Sequence, residues 1–191
     1  MEGAVILDSG SRALAVTGQH LLQALIGYEP VIDQRRNAVA LRMNIQPVAA
    51  TPNTAALYRE LAGLWVDGGS PIVLNSTAPI DEELLSAAPL KHLWIEVPVA
   101  MTESSDGQAL LAQLRRHGYT MVLSGRPRSP LPPDLVPAFQ MSVIHIDDDR
   151  RAQNGASQAP PPGVRRSIPF VQAGVRTIAL MEQCFSRGAY A

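Results

Sequence analysis

The stretch Tyr28-Glu29-Pro30-Val31-Ile32-Asp33-Gln34-Arg35-Arg36-Asn37-Ala38-Val39-Ala40-Leu41-Arg42-Met43-Asn44-Ile45 decides how the rest of the chain is read. Its second half alternates strictly, with Val39, Leu41, Met43 and Ile45 on one face and Ala40, Arg42 and Asn44 on the other. A period of two is the signature of a strand, because successive side chains of extended backbone point to opposite faces. Tyr28 to Asp33 is a second extended run, and the polar Gln34-Arg35-Arg36-Asn37 joins the two as a hairpin with a longer-than-minimal turn. Pro47 closes the pattern, having no N–H to give a ladder.

Upstream, residues 1–26 are expected to form an N-terminal extension before a domain spanning 27–191. Within it, His20 to Ile26 is apolar and suits a short helix or an edge segment equally. Downstream, apolar runs alternate with helical or loop crossovers. A helix capped by Thr51 or Asn53 is expected to run to about Val66, with Leu57, Leu61, Leu64 and Trp65 on one face. Strands are expected at Pro71–Asn75, His92–Val97, Tyr119–Leu123, Ser142–Ile146 and Ser167–Val171. Between them lie a short acid-led helix at Asp81–Ala87, a helix from Asp106 to His117 stopped by Gly118, and a distorted helix at Asp134–Phe139. A last helix is expected over Val175–Arg187, and the proline-rich polar segment near 147–166 reads as a mobile loop.

Short, near-continuous apolar strands joined at βα spacing imply a parallel sheet covered on both faces, in an α/β fold. An open doubly wound sheet and a TIM-like (β/α) barrel both satisfy this pattern. No glycine-rich dinucleotide fingerprint or phosphate-loop lysine motif follows a strand, which weakens the first. Seven strands can be counted, and residue 191 falls where an eighth would be due in a barrel.

Composition narrows the function. Of the 191 residues 46% are hydrophobic and 17% charged, with a formal net charge of -1, which describes a globular chain and argues against a polyanion binder. No nucleic-acid polymer and no membrane are expected as partners, and a cytoplasmic location is expected, since no basic leader or spanning run is present. A single cysteine, Cys184, excludes an internal disulfide and reads as a core thiol on the last helix. The doubled arginines at 35–36, 150–151 and 165–166 read as solvated turn charges.

In a parallel barrel the chemistry sits at the C-terminal ends of the strands. Here those ends carry Arg42, Asn44, Asn75, Glu96, Ser124, Gly125, His145, Asp147 and the turn Gln172 to Arg176. A hard divalent cation needs several oxygen ligands, and this rim supplies few acids beside two arginines. A lone carboxylate in an apolar mouth is costly unless paired, so Glu96 is expected to contact Arg42. Asn75 is expected to bond nearby backbone or these side chains, and His145 to be a core or rim histidine.

These residues resemble the EAL domains, the cyclic di-GMP phosphodiesterases, and are closest to the EAL half of EAL–HDOD proteins. The opening hairpin through Val39-Ala40-Leu41-Arg42 is similar to the start of that domain. So, in order, are Ile72-Val73-Leu74-Asn75-Ser76, Leu93-Trp94-Ile95-Glu96, the Gly118-Tyr119 unit, Val143-Ile144-His145-Ile146-Asp147 and Gln172-Ala173-Gly174-Val175-Arg176-Thr177. The resemblance implies a TIM-like barrel of the EAL type, starting with an antiparallel hairpin and incomplete at its C-terminus. Against the family's pattern, Arg42 stands where the naming glutamate belongs and Gln46 where an arginine grips substrate. Glu29 replaces a glutamine, Ser124 and Gly125 the paired aspartates, His145 a lysine, and Ala173 and Arg176 the late glutamates. Of the metal-ligand positions only the remnants Asn75 and Glu96 remain, too few for a two-metal site. The expectation is a degenerate, regulatory domain that is not an enzyme, with no catalytic residues, no metal and no cofactor. It would act through a protein partner or as a homodimer. A cyclic di-GMP receptor without hydrolysis is the alternative, with Arg42, Glu96, His145 and Arg176 as ligand-binding candidates, and an active phosphodiesterase ranks last.

Overall fold

The computed structural model describes residues 24–48, 54–64, 69–127, 130–149 and 168–191. Strands β1 (Ala24–Ile32) and β2 (Ala38–Pro47) form the hairpin. Its turn is held by the Asp33 carboxylate, which accepts from the backbone N–H groups of Arg35 and Asn37, both at 2.8 Å. The hairpin is longer than its alternating pattern showed. Ala24, Leu25 and Ile26 pair with Pro47, Gln46 and Ile45, so the first strand includes residues upstream of the expected Tyr28. The expectations for residues 1–23 lie outside the described residues.

Helix α1 (Thr54–Leu64) begins where Thr54 donates through its hydroxyl to Ala78 O, and it buries Leu57, Tyr58 and Leu61. Strand β3 (Ile72–Ser76) follows, then a short 3-10 helix at Glu82–Ser86 capped by Asp81, then β4 (Leu93–Pro98). A second 3-10 turn, Val99–Thr102, leads into α2 (Ser105–Arg116), whose Ser104 cap accepts from Gly107 N. Gly118 ends that helix at φ +89°, a left-handed conformation that side chains disfavour. Strand β5 (Met121–Ser124), a 3-10 turn at Val136–Ala138 and β6 (Phe139–His145) come next, with residues 146–149 helical. Strand β7 (Phe170–Ala173) and α3 (Ile178–Ser186), capped by Thr177, complete the described chain. The segment expected to be mobile lies, beyond residue 149, outside the described residues.

The seven strands form one sheet in the order β1-β2-β3-β4-β5-β6-β7, antiparallel at β1–β2 and parallel thereafter. Two apolar layers lie on its faces. The outer layer packs Ile45, Leu74, Ile95, Met121 and Leu123 against helix residues such as Leu57, Tyr58, Leu111 and Leu114. The inner layer joins Val31 of β1, Ala40, Val73, Val122, Met141, Val143 and Val171 of β7. First and last strands can share one cluster only if the sheet curls on itself. Gln34 Nε2 donating to Ala189 O at 2.9 Å ties the two ends together. The result is an incomplete barrel, which chooses the barrel over the open doubly wound sheet. Among the described residues no helix is long and apolar enough to cross a membrane.

Candidate functional site

Alternation along the strands sorts the polar residues at the mouth. Val31, Ala40, Val73, Val122, Val143 and Val171 point inward. Residues at even spacing from them therefore share the inner face: Glu29, Arg42, Asn44, Asn75, Glu96, Ser124, His145 and Ala173. The register reinforces this, since Glu29 lies opposite Arg42, and Asn44 beside Asn75.

Glu96 is at the centre of the cluster, with a side chain 0% exposed. Both its carboxylate oxygens are taken by one guanidinium. Arg42 Nε donates to Oε2 at 2.7 Å and Arg42 Nη2 to Oε1 at 2.8 Å. This two-toothed arrangement matches the planar fork of arginine to the carboxylate and is the strong form of the pair. The remaining Nη1 donates to the half-exposed Glu29 carboxylate at 3.0 Å. Burial works to lower the Arg42 pKa, but the hydrogen bonds and charge of Glu96, then those of Glu29, outweigh it and the net shift is upward. The guanidinium is therefore a fixed positive charge. Beside the pair, Asn75 Nδ2 donates to Asn44 Oδ1 at 2.8 Å.

The Arg42–Glu96 contact expected from the sequence is thus present, whereas Asn75 bonds Asn44, a partner the sequence reading did not name. His145 and Arg176 lie on the same cavity as Arg42 and Glu29: with Val31, Val171 and Cys184 these residues line a space of about 430 Å³. His145 Nδ1 lies 3.5 Å from Asp147 Oδ2, both half-exposed, and Arg176 is exposed. Gly174, at φ +77°, passes so close to the His145 ring that a Cβ there would collide with it. Among the described residues no three His, Cys, Asp or Glu side chains group so as to hold a metal ion. Sequence reasoning missed the part played by Glu29 as second partner of Arg42. Counting outward from the 33–37 turn sets Glu29 opposite Leu41; the irregularity between Val31 and Ile32 shifts the register by one and brings it opposite Arg42, which the sequence pattern does not reveal.

No family model matches the chain, and no curated protein matches it in sequence. Solved structures do. The MucR phosphodiesterase in complex with cyclic di-GMP is 18% identical with a TM-score of 0.52, the match covering 88% of this chain and 87% of that one. The S helix-GGDEF-EAL portion of LapD from Vibrio cholerae, bound to cyclic di-GMP, is 12% identical with a TM-score of 0.53, covering 88% of this chain and 52% of that one. BlrP1 from Klebsiella pneumoniae, in a complex with calcium and cyclic di-GMP, is 16% identical with a TM-score of 0.52, covering 90% and 55%. At these identities the likeness is one of fold: the curled sheet is the EAL-like barrel.

Proposed function

We propose that this EAL-like barrel is a non-catalytic module of cyclic di-GMP signalling that regulates through protein contacts. The observation that carries the reading is the Arg42 fork on the buried Glu96 carboxylate. Solved structures of similar fold hold cyclic di-GMP, and one of them calcium as well. The donor set here does not fit a divalent cation. Both Glu96 oxygens already accept from a guanidinium, and Asn75 is held by Asn44. A cation on Glu96 would also face the Arg42 charge across a few ångströms in a poorly screened site. The fold is retained while the acid at its mouth is neutralised from within, which favours a role in binding over one in hydrolysis.

A second reading, a cyclic di-GMP receptor without hydrolysis, is favoured by the exposed Arg176 and by His145 on the wall of the cavity of about 430 Å³. An anionic phosphate there would find a cation that the Arg42–Glu96 pair does not use. An active phosphodiesterase stays last.

Calorimetry with cyclic di-GMP, beside a product assay in Mg²⁺ and in Mn²⁺, separates the three. No product and no heat of binding is the expected result. Binding near micromolar that is lost in Arg176→Ala would promote the receptor reading. Linear dinucleotide product that depends on metal would overturn the proposal.

A further inference from the structure

The strand order runs from β1 to β7, and among the described residues no ladder joins these two. Towards the N-terminal end of β7, residues 189–191 stand between them. Tyr190 N donates to Phe170 O, Gln172 N to Ala191 O, and Gln34 Nε2 to Ala189 O. The cavity of about 430 Å³ lies in the remaining space between the two strands and reaches α3. Val31, Val143 and Val171 line it from the sheet, and Met181 and Phe185 from α3.

This apolar body has two unlike sides. On the β1 side, the guanidinium of Arg42 is matched by two acids, Glu96 and Glu29. On the β7 side stands Arg176, with which no carboxylate pairs among the described residues. His145 is its neighbour across Gly174. Asp147 faces the Nδ1 side of that ring, and Gly174 lies against Nε2. The charge of the cavity is therefore positive beside β7, while the Glu29 carboxylate repels an anion from the β1 side. At ~30 Å³ for each water-sized group, the space takes roughly 14 non-hydrogen atoms. A cyclic dinucleotide is several times larger, so no more than a fragment of it would enter.

We propose that the cavity binds a medium-chain carboxylate, an unbranched acid of about eight to twelve carbons. Its head group pairs with Arg176 beside His145, where the planar fork of the guanidinium suits a carboxylate. Its chain lies against Val31, Val171, Met181 and Phe185, which supply the apolar contact. Charge, wall and volume each select for this class: a cation would meet Arg176, a bare anion would leave the apolar wall unused, and a larger ligand would not fit. The inference goes beyond the regulatory reading above and does not depend on it.

The test is calorimetry of the full chain with decanoate, hexanoate and decyltrimethylammonium, each below its micelle concentration. Methyl NMR of Met181, assigned through Met181→Leu, reports whether the ligand sits in the cavity. Decanoate is expected to bind with a Kd below about 1 mM and to shift the Met181 methyl resonance. Hexanoate is expected to bind at least about 50-fold more weakly, since each buried methylene is worth about four-fold. Arg176 is exposed, so Arg176→Gln is expected to keep the thermal midpoint while weakening decanoate about ten-fold or more. Arg187→Gln, at the C-terminal cap of α3 and outside the lining, is expected to change nothing. No binding of decanoate, binding that leaves Met181 unmoved or survives Arg176→Gln, or an equal shift with decyltrimethylammonium would overturn the proposal. Calorimetry with cyclic di-GMP and the product assay test the earlier readings separately, so either idea can fail alone.

Discussion

Removing the guanidinium of Arg42 while leaving Glu96 in place tests the central contact most directly. In Arg42→Met the volume is roughly kept, but a carboxylate that is 0% exposed loses both donors, at 2.7 and 2.8 Å. Breaking a buried ion pair on one side costs about 3–5 kcal/mol, because the remaining charge is left without compensation. The contact to Glu29 adds little to this, since that carboxylate is 53% exposed and an exposed pair is worth at most ~1 kcal/mol. A loss of about 4 kcal/mol is a large part of the 5–15 kcal/mol that holds a domain together. It lowers the thermal midpoint by roughly 10 °C in a chain of this size. The double variant Arg42→Met/Glu96→Leu removes both charges and is expected to recover to within about 1 kcal/mol of the wild type, or to exceed it. Urea unfolding of wild type, both single variants and the double gives a thermodynamic cycle with a coupling of at least about 3 kcal/mol. A single-variant loss below about 1 kcal/mol at unchanged m-value would refute the claim that Arg42 compensates a buried charge.

Three further outcomes follow from local geometry. Gly107→Ala, which helix propensity alone would make favourable by about 1 kcal/mol, is expected instead to destabilise by ~1–3 kcal/mol in urea, because its Cβ would overlap the Met101 backbone; a gain in stability would contradict the packing of α2 on the Val99–Thr102 turn. Burial, aided by the neighbouring Tyr58, pushes the Tyr119 phenol up to about 12, and its hydroxyl donates to the Leu84 and Ala87 carbonyls. Its proton is held more tightly in the folded state, so this stabilisation is complete below the unfolded value of about 10 and is lost as pH rises towards the folded one; since burial raises Tyr58 as well, phenolate absorbance is expected to show a late-titrating amplitude that shrinks in Tyr119→Phe. The backbone N–H of Asn37, outweighing the opposing effect of desolvation, holds the Asp33 carboxyl below its ordinary value. Its contribution to the hairpin is therefore present above about pH 3.9 and is lost as pH falls through the lower folded value, and the Asn37 amide resonance should report that titration and lose it in Asp33→Ala.

The legible part of the fold was the part written in short-range pattern. The alternation from Val39 to Ile45 specified a strand, the polar 34–37 run specified its turn, and each apolar run led to one parallel strand of the sheet in chain order. Boundaries slipped where a neighbouring strand sets the limit. Strand β6 starts at Phe139, three residues before the expected Ser142, because Phe139 pairs with Met121. Tyr119 was read into β5, yet its ring stands edge-on to Tyr58, 5.3 Å between centroids, in the packed layer between sheet and helices.

The sequence by itself determined the hairpin, the succession of strands and crossovers, the small number of acids at the strand ends and the need for Glu96 to be paired. Each of these depends on residue type and on a period of two or 3.6, which operate over a few neighbouring residues. Only the tertiary structure decided that the sheet curls until Val31 and Val171 share one cluster and that Arg42 bonds both oxygens of Glu96 across 54 residues of chain. Curvature and inter-strand register are properties of all seven strands packed together, and no local window of sequence contains them.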